Sequence, residues 1–114
     1  MVLLLTRVTH VLTDVTGPGT LRSVIKSFQH KGLEELFLTG STRRIHSTLH
    51  RRCLRRLDAL DQAKSIQELN LPGFNFHSLR GSPKRYSLHV NGPWCITFEW
   101  RVEDAYRVDL EQYH

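Results

Sequence analysis

The spacing of apolar residues changes once along this chain. The change divides a helical part from a strand part. Between Arg44 and Ala63 the apolar positions recur at three and four residues, at Ile45, Leu49, Cys53, Leu57 and Leu60. At about 100° per residue these share one face, with Arg51, Arg55 and Asp58 opposite, so the spacing predicts an amphipathic helix. Ahead of it, Lys31 to Leu38 predicts one or two helical turns with Leu33, Leu36 and Phe37 on one side. Val24-Ile25-Lys26-Ser27-Phe28 predicts a short strand. Ser65-Ile66-Gln67-Glu68 has the Ser-x-x-Glu spacing of a capping box and predicts a short helical turn, ended by Asn70-Leu71-Pro72-Gly73.

From Phe74 the period falls to two. Tyr86, Leu88 and Val90 alternate with Ser87 and His89. Trp94, Ile96, Phe98 and Trp100 alternate with Cys95, Thr97 and Glu99, and Tyr106, Val108 and Leu110 with Arg107 and Asp109. Asn91-Gly92-Pro93 and Val102-Glu103-Asp104 are hairpin-length connections, so these strands form an antiparallel meander. Its apolar face must pack on the helices, which leaves a polar face available. The fold class is therefore α+β, with N-terminal helices on a mostly antiparallel meander sheet. Residues 1–23 stand apart: they are rich in Val, Leu and Thr and break at Gly17-Pro18-Gly19, a turn or linker signal.

The 114 residues make one small domain, and 39% hydrophobic content supports a modest core. A net charge of +5 and a pI near 9.7 make a polyanion such as nucleic acid the leading partner class. Six arginines between Arg43 and Arg56 concentrate that charge on the helix. They make either a solvated face or a surface for a phosphate backbone or an acidic partner. Two cysteines, Cys53 and Cys95, are too few for a disulfide framework and favour a reducing cytosol. No Cys/His spacing suggests zinc. The early apolar run Val2–Leu5 is too short for a membrane span or a signal-peptide core. The sequence ends in Tyr113-His114, an acid/base side chain beside a phenol, directly after a strand.

Particular segments narrow the class further. Ile25-Lys26-Ser27-Phe28-Gln29-His30-Lys31-Gly32-Leu33, Leu57-Asp58-Ala59 and Asn70-Leu71-Pro72-Gly73-Phe74 are followed by His77-Ser78-Leu79-Arg80-Gly81, Trp94-Cys95-Ile96-Thr97-Phe98-Glu99 and Asp104-Ala105-Tyr106 through Tyr113-His114. In this order they resemble the HigB group of the RelE/ParE toxin superfamily, the plasmid maintenance system killer proteins. The resemblance covers residues 24–114, about four-fifths of the chain.

The resemblance implies a microbial-ribonuclease-like, RelE-like fold and a cytoplasmic mRNA interferase. Such a toxin enters the ribosomal A site and cuts mRNA by 2′-hydroxyl attack, with no cofactor and no metal. It implies a cognate HigA-like helix-turn-helix antitoxin as partner, operator DNA only through that antitoxin, and no membrane. It puts His114, Tyr113, Arg80 and Gln112 at the catalytic positions. RNA and ribosome contacts are expected from His77, Lys84, Arg85, Cys95, Arg101 and Arg107. Three positions depart from the family pattern. Gln112 stands for an aspartate and cannot take a proton. Arg80 stands for a functional lysine, keeping charge but not proton transfer. Cys95 stands for an arginine and loses its charge. These departures imply the alternative of a catalytically weakened relative acting mainly as an antitoxin-binding module. Gyrase inhibition, as in the ParE branch, fits less well with a terminal Tyr-His. The family pattern begins where Val24 stands, so residues 1–23 are expected to be an extension, with initiation at Val24 through a GTG codon.

Overall fold

The computed structural model of the protein describes residues 23–112. The expected extension up to residue 22, and Tyr113 and His114, lie outside the described residues. Helix α1 (Lys31–Thr39) is followed by a 3-10 turn (Ser47–Leu49), helix α2 (His50–Gln62) and a second 3-10 turn (Ile66–Leu69). Strands β1 (His77–Leu79), β2 (Arg85–Asn91), β3 (Trp94–Arg101) and β4 (Asp104–Gln112) complete the order.

The α1 boundaries follow from local chemistry. His30 caps its start, with Nδ1 accepting the Leu33 N–H at 3.2 Å. Gly40, at φ +94°, ends it in the left-handed region and donates its N–H to the Leu36 carbonyl at 2.8 Å. Leu33 and Leu36 are buried and Phe37 half-buried, as the spacing predicts.

Helix α2 starts later than the apolar spacing suggests. Residues 43–46 are not helical: His46 Nδ1 accepts the Thr48 N–H at 3.2 Å, and the His50 ring hydrogen-bonds the Ile45 carbonyl at 2.8 Å. Those side chains satisfy groups that a longer helix would have paired internally. The face itself is as expected, with Ile45, Leu49, Cys53, Leu57 and Leu60 buried and Arg51, Arg55 and Asp58 exposed. The capping box does not form. Ser65 occupies the cap of the second 3-10 turn without a side-chain bond, and Glu68 Oε1 takes the Lys64 N–H at 3.1 Å instead.

The strands pair in sequence order, each antiparallel to the next. The helices pack on the apolar face, where Leu33, Leu36, Leu57 and Leu60 join Leu88, Val90, Ile96, Phe98 and Val108 in one core. The predicted strand at Val24–Phe28 forms only two isolated parallel bridges, Ile25 to Ala105 and Phe28 to Val108. Asp61, buried on α2, anchors its start by accepting the N–H groups of Val24 and Ile25, each at 2.9 Å. This segment therefore covers part of the β4 edge, which would otherwise present unpaired backbone.

Two expectations about the sheet change. The period of two breaks in β4, because Arg107 is an extra residue at φ +53° between the Thr97–Asp109 and Glu99–Tyr106 pairs. The bulge is pinned from outside the sheet: Ser27 Oγ accepts the Arg107 N–H at 2.8 Å. Tyr106 consequently lies opposite Glu99 on the polar face, not on the apolar one. That polar face is also closed at its centre. Ser87 and Thr97 are fully buried, and Glu99 is 8% exposed.

Candidate active-site cleft

A cleft of about 490 Å³ opens on the polar side of the sheet, beside the β1–β2 turn. The strands supply most of it. Arg85 comes from β2, Glu99 from β3, and Arg107, Asp109 and Glu111 from β4. Arg80 and Ser82-Pro83, whose peptide bond is cis, close one wall, and Gln29 lies at the other. Arg107 stands in this group as alternation with Asp109 expects, and the β-bulge adds Tyr106 to the same face.

The charges are paired. Arg85 Nη2 donates to Glu111 Oε2 and, at 2.8 Å, to Thr97 Oγ1. Thr97 Oγ1 donates in turn to Glu111 Oε2 at 2.7 Å. Glu99 sits between two cations, Arg107 Nε at 3.5 Å and Arg101 Nη2 at 3.6 Å. Arg80 carries no ion pair to any described residue. Burial pushes the Asp109 carboxyl above the usual carboxylate range. The negative charge of Glu111 and a hydrogen bond between the two side chains push it the same way, partly opposed by the Leu110 N–H and by His30.

The sequence-expected residues divide into groups. Arg80, Arg85 and Arg107 meet in the cleft. Arg101 lies at its edge, tied to Glu99 and stacked 4.0 Å over the Tyr106 ring. Cys95 is buried on the same face, between His89 and Glu111 in the strand register. His77 is exposed on β1, with Nδ1 bonded to the Asn75 carbonyl at 2.8 Å, and Lys84 is exposed in the turn. Neither lines the cleft. Gln112 pairs with Trp94, so it lies on the sheet face opposite Glu111.

Sequence reasoning missed Glu99, Asp109 and Glu111. The signal was present: Asp109 and Glu111 occupy alternate positions of a strand, on the face opposite Val108 and Leu110. The arginine-rich helix also divides. Arg51, Arg52 and Arg55 are exposed, but Arg56 is 4% exposed. Its Nε donates to the His89 carbonyl at 2.7 Å and Nη2 to the Gly73 carbonyl at 3.2 Å, and the guanidinium lies 4.5 Å over Phe74. Arg56 is thus a structural clamp and not part of a binding face.

Two helices on the apolar side of a four-stranded antiparallel meander, with a charged cleft on the polar side, define a RelE-like toxin fold. Residues 26–114 match the family described as the RelE-like toxin of the type II toxin-antitoxin system HigB, and the chain belongs to that family. It is 41% identical over 92 residues to Endoribonuclease HigB of Proteus vulgaris, an alignment covering 80% of this chain and 100% of that protein. Membership brings a partner class with it, the antitoxin of a type II system. Among the described residues, no helix is long and apolar enough to cross a membrane.

Proposed function

We propose that this protein is a cytoplasmic endoribonuclease toxin that cuts mRNA on the ribosome and is neutralised by a HigA-like antitoxin. The observation that carries this reading is the convergence of Arg80, Arg85 and Arg107 on one cleft of the polar sheet face. A phosphodiester being attacked by its own 2′-hydroxyl passes through a phosphorane that needs such cations. Arg80 holds the scissile phosphate, being the cleft arginine that no described carboxylate engages. His114 exchanges the proton of the 2′-hydroxyl and Tyr113 orients it, as the family pattern implies. The relative named as an endoribonuclease supports the reaction type.

The test is an in vitro translation reaction with primer-extension mapping of the mRNA. The parent chain should cut, and Arg80→Ala and His114→Ala should each lose about 10²-fold or more, the usual cost of one transition-state or proton-transfer group. Absence of cutting by the parent defeats the reading. A second reading, a weakened toxin relative that mainly binds its antitoxin, is favoured by the charge balance of the cleft. Three arginines there face three carboxyls, Glu99, Asp109 and Glu111. On that reading, induced expression does not arrest growth while the antitoxin is still captured. Growth arrest by the parent chain rejects it.

A further inference from the structure

The chemistry of the proposed reaction needs two proton-transfer groups, and Gln112 can be neither. It also lies on the wrong face of β4, paired with Trp94. Its neighbours on the cleft side are Asp109 and Glu111, two residues apart on one strand and both in the wall of the cleft. Their surroundings differ. Glu111 is neutralised by Arg85 and accepts the Thr97 hydroxyl. Asp109 takes the Leu110 N–H at 2.8 Å, has no ion pair to a described residue, and lies beside Glu111 in the same wall. Of the other cations nearby, Arg107 and Arg101 engage Glu99, and His30 acts on Asp109 through space. Lys31 and Arg44 line a second hollow beside Asp109, and Arg80 shares the cleft without an ion pair to a described residue.

We propose that Asp109 is the general acid of the cleft, holding a proton against Glu111 and giving it to the 5′-oxygen that leaves the cut RNA. The inference rests on the nuclease reading. In the step, the 2′-oxygen forms a bond to phosphorus while the bond from phosphorus to the 5′-oxygen breaks. The 2′-hydroxyl proton goes to His114, and the electron pair of the broken bond takes the Asp109 proton. The products are a 2′,3′-cyclic phosphate and a 5′-hydroxyl, with no other reactant consumed. Glu111 is a positioning residue: Arg85 and the Thr97 hydroxyl hold its carboxylate beside Asp109 on the cleft face of β4. Two carboxyls with environments that separate their proton affinities are a recurrent basis for acid/base assignment. Raised proton affinity at Asp109 agrees with this division of roles.

The experiment measures single-turnover mRNA cutting on programmed ribosomes from pH 6 to 9, for the parent, Asp109→Asn, Asp109→Glu and Glu111→Gln. Asp109→Asn should lose about 10²-fold or more while still sedimenting with ribosomes, and Asp109→Glu should recover part of the loss. Glu111→Gln should shift the alkaline limb of the pH profile downward. A carbon-13 titration of the Asp109 carboxyl provides a readout apart from activity. The carboxyl should titrate above an ordinary aspartate in the parent and fall in Glu111→Gln. A parent that cuts, with Asp109→Asn within threefold of it and the same pH profile, overturns the proposal alone. An Asp109 that titrates as an ordinary aspartate does the same. A parent that cuts no mRNA overturns the nuclease reading itself.

Discussion

Arg56→Ala separates a structural arginine from the basic surface around it. The side chain is buried and its fork holds two segments that follow α2, the Pro72-Gly73 turn and the end of β2. Truncation leaves the half-buried His89 carbonyl without its donor at 2.7 Å, at a cost of about 1–2 kcal/mol. The Gly73 carbonyl is near solvent and recovers a water partner, so its loss is worth about 0.5 kcal/mol. Loss of the cation over Phe74 and of the packed stem adds about 1–2 kcal/mol. One effect runs the other way. Burial, and repulsion from Arg55 and Arg52, hold the Arg56 guanidinium below its ordinary proton affinity, so removing the charge returns part of its desolvation cost. The net expectation is a destabilisation of about 2–3 kcal/mol, or a melting temperature lower by about 8–20 °C for a domain of this size. Urea and thermal unfolding of Arg56→Ala and Arg55→Ala measure it. The exposed Arg55→Ala should stay within about 0.5 kcal/mol of the parent. Equal small effects at both positions would refute the clamp and return Arg56 to the solvated face.

Two other perturbations test the backbone and the core. Val102 sits in the β3–β4 turn at φ +60° and 93% exposed, a conformation that strains a β-branched residue. Val102→Asn should raise stability by about 0.5–1 kcal/mol in urea titration, because asparagine tolerates the left-handed region. Burial raises the Cys53 thiol from 9.0 to about 11. The unfolded thiol therefore ionises first, and stability falls as pH rises from 9 towards 11. By pH 10.5 the loss is about 2 kcal/mol from this group. The stability difference between pH 8 and 10.5 should shrink by that amount in Cys53→Ala.

Local signals made most of the fold legible. The helical stripe from Ile45 to Leu60 is buried as its spacing specifies. The alternation in β2 and β3 picks out the side that packs on the helices, with Leu88, Val90, Ile96 and Phe98 buried and Tyr86, Trp94 and Trp100 half-buried. The failures come from interactions that no local pattern contains. The start of α2 is decided by His46 and His50, whose rings take up backbone groups ahead of the helix. The Arg107 bulge is decided by Ser27, 80 residues away in sequence. Arg56 reads as one more arginine in a basic run until the His89 and Gly73 carbonyls are brought to it. The family pattern directs attention to Gln112, yet strand alternation alone places Glu111 and Asp109, not Gln112, on the face opposite Val108 and Leu110. Two of the three carboxyls of the cleft, Asp109 and Glu111, were therefore readable from the sequence, by parity along one strand.

That parity changes what the cleft asks of an RNA substrate. Three arginines in an open cleft would bind phosphate by attraction alone. Here Arg85 is occupied by Glu111 and Arg107 by Glu99, so an incoming phosphate at either arginine exchanges one anion for another. Such an exchange gains little free energy and makes geometry, not charge, the basis of selection. Arg80 is the exception, with no described carboxylate to displace. Its fork can meet two phosphate oxygens at once, where a lysine offers a single point charge. On the proposed nuclease reading, Arg80 in place of the family's lysine gives up a proton-transfer group and strengthens the phosphate grip. On that reading the cleft needs its acid elsewhere, and Asp109 is the carboxyl in its wall with no arginine partner among the described residues.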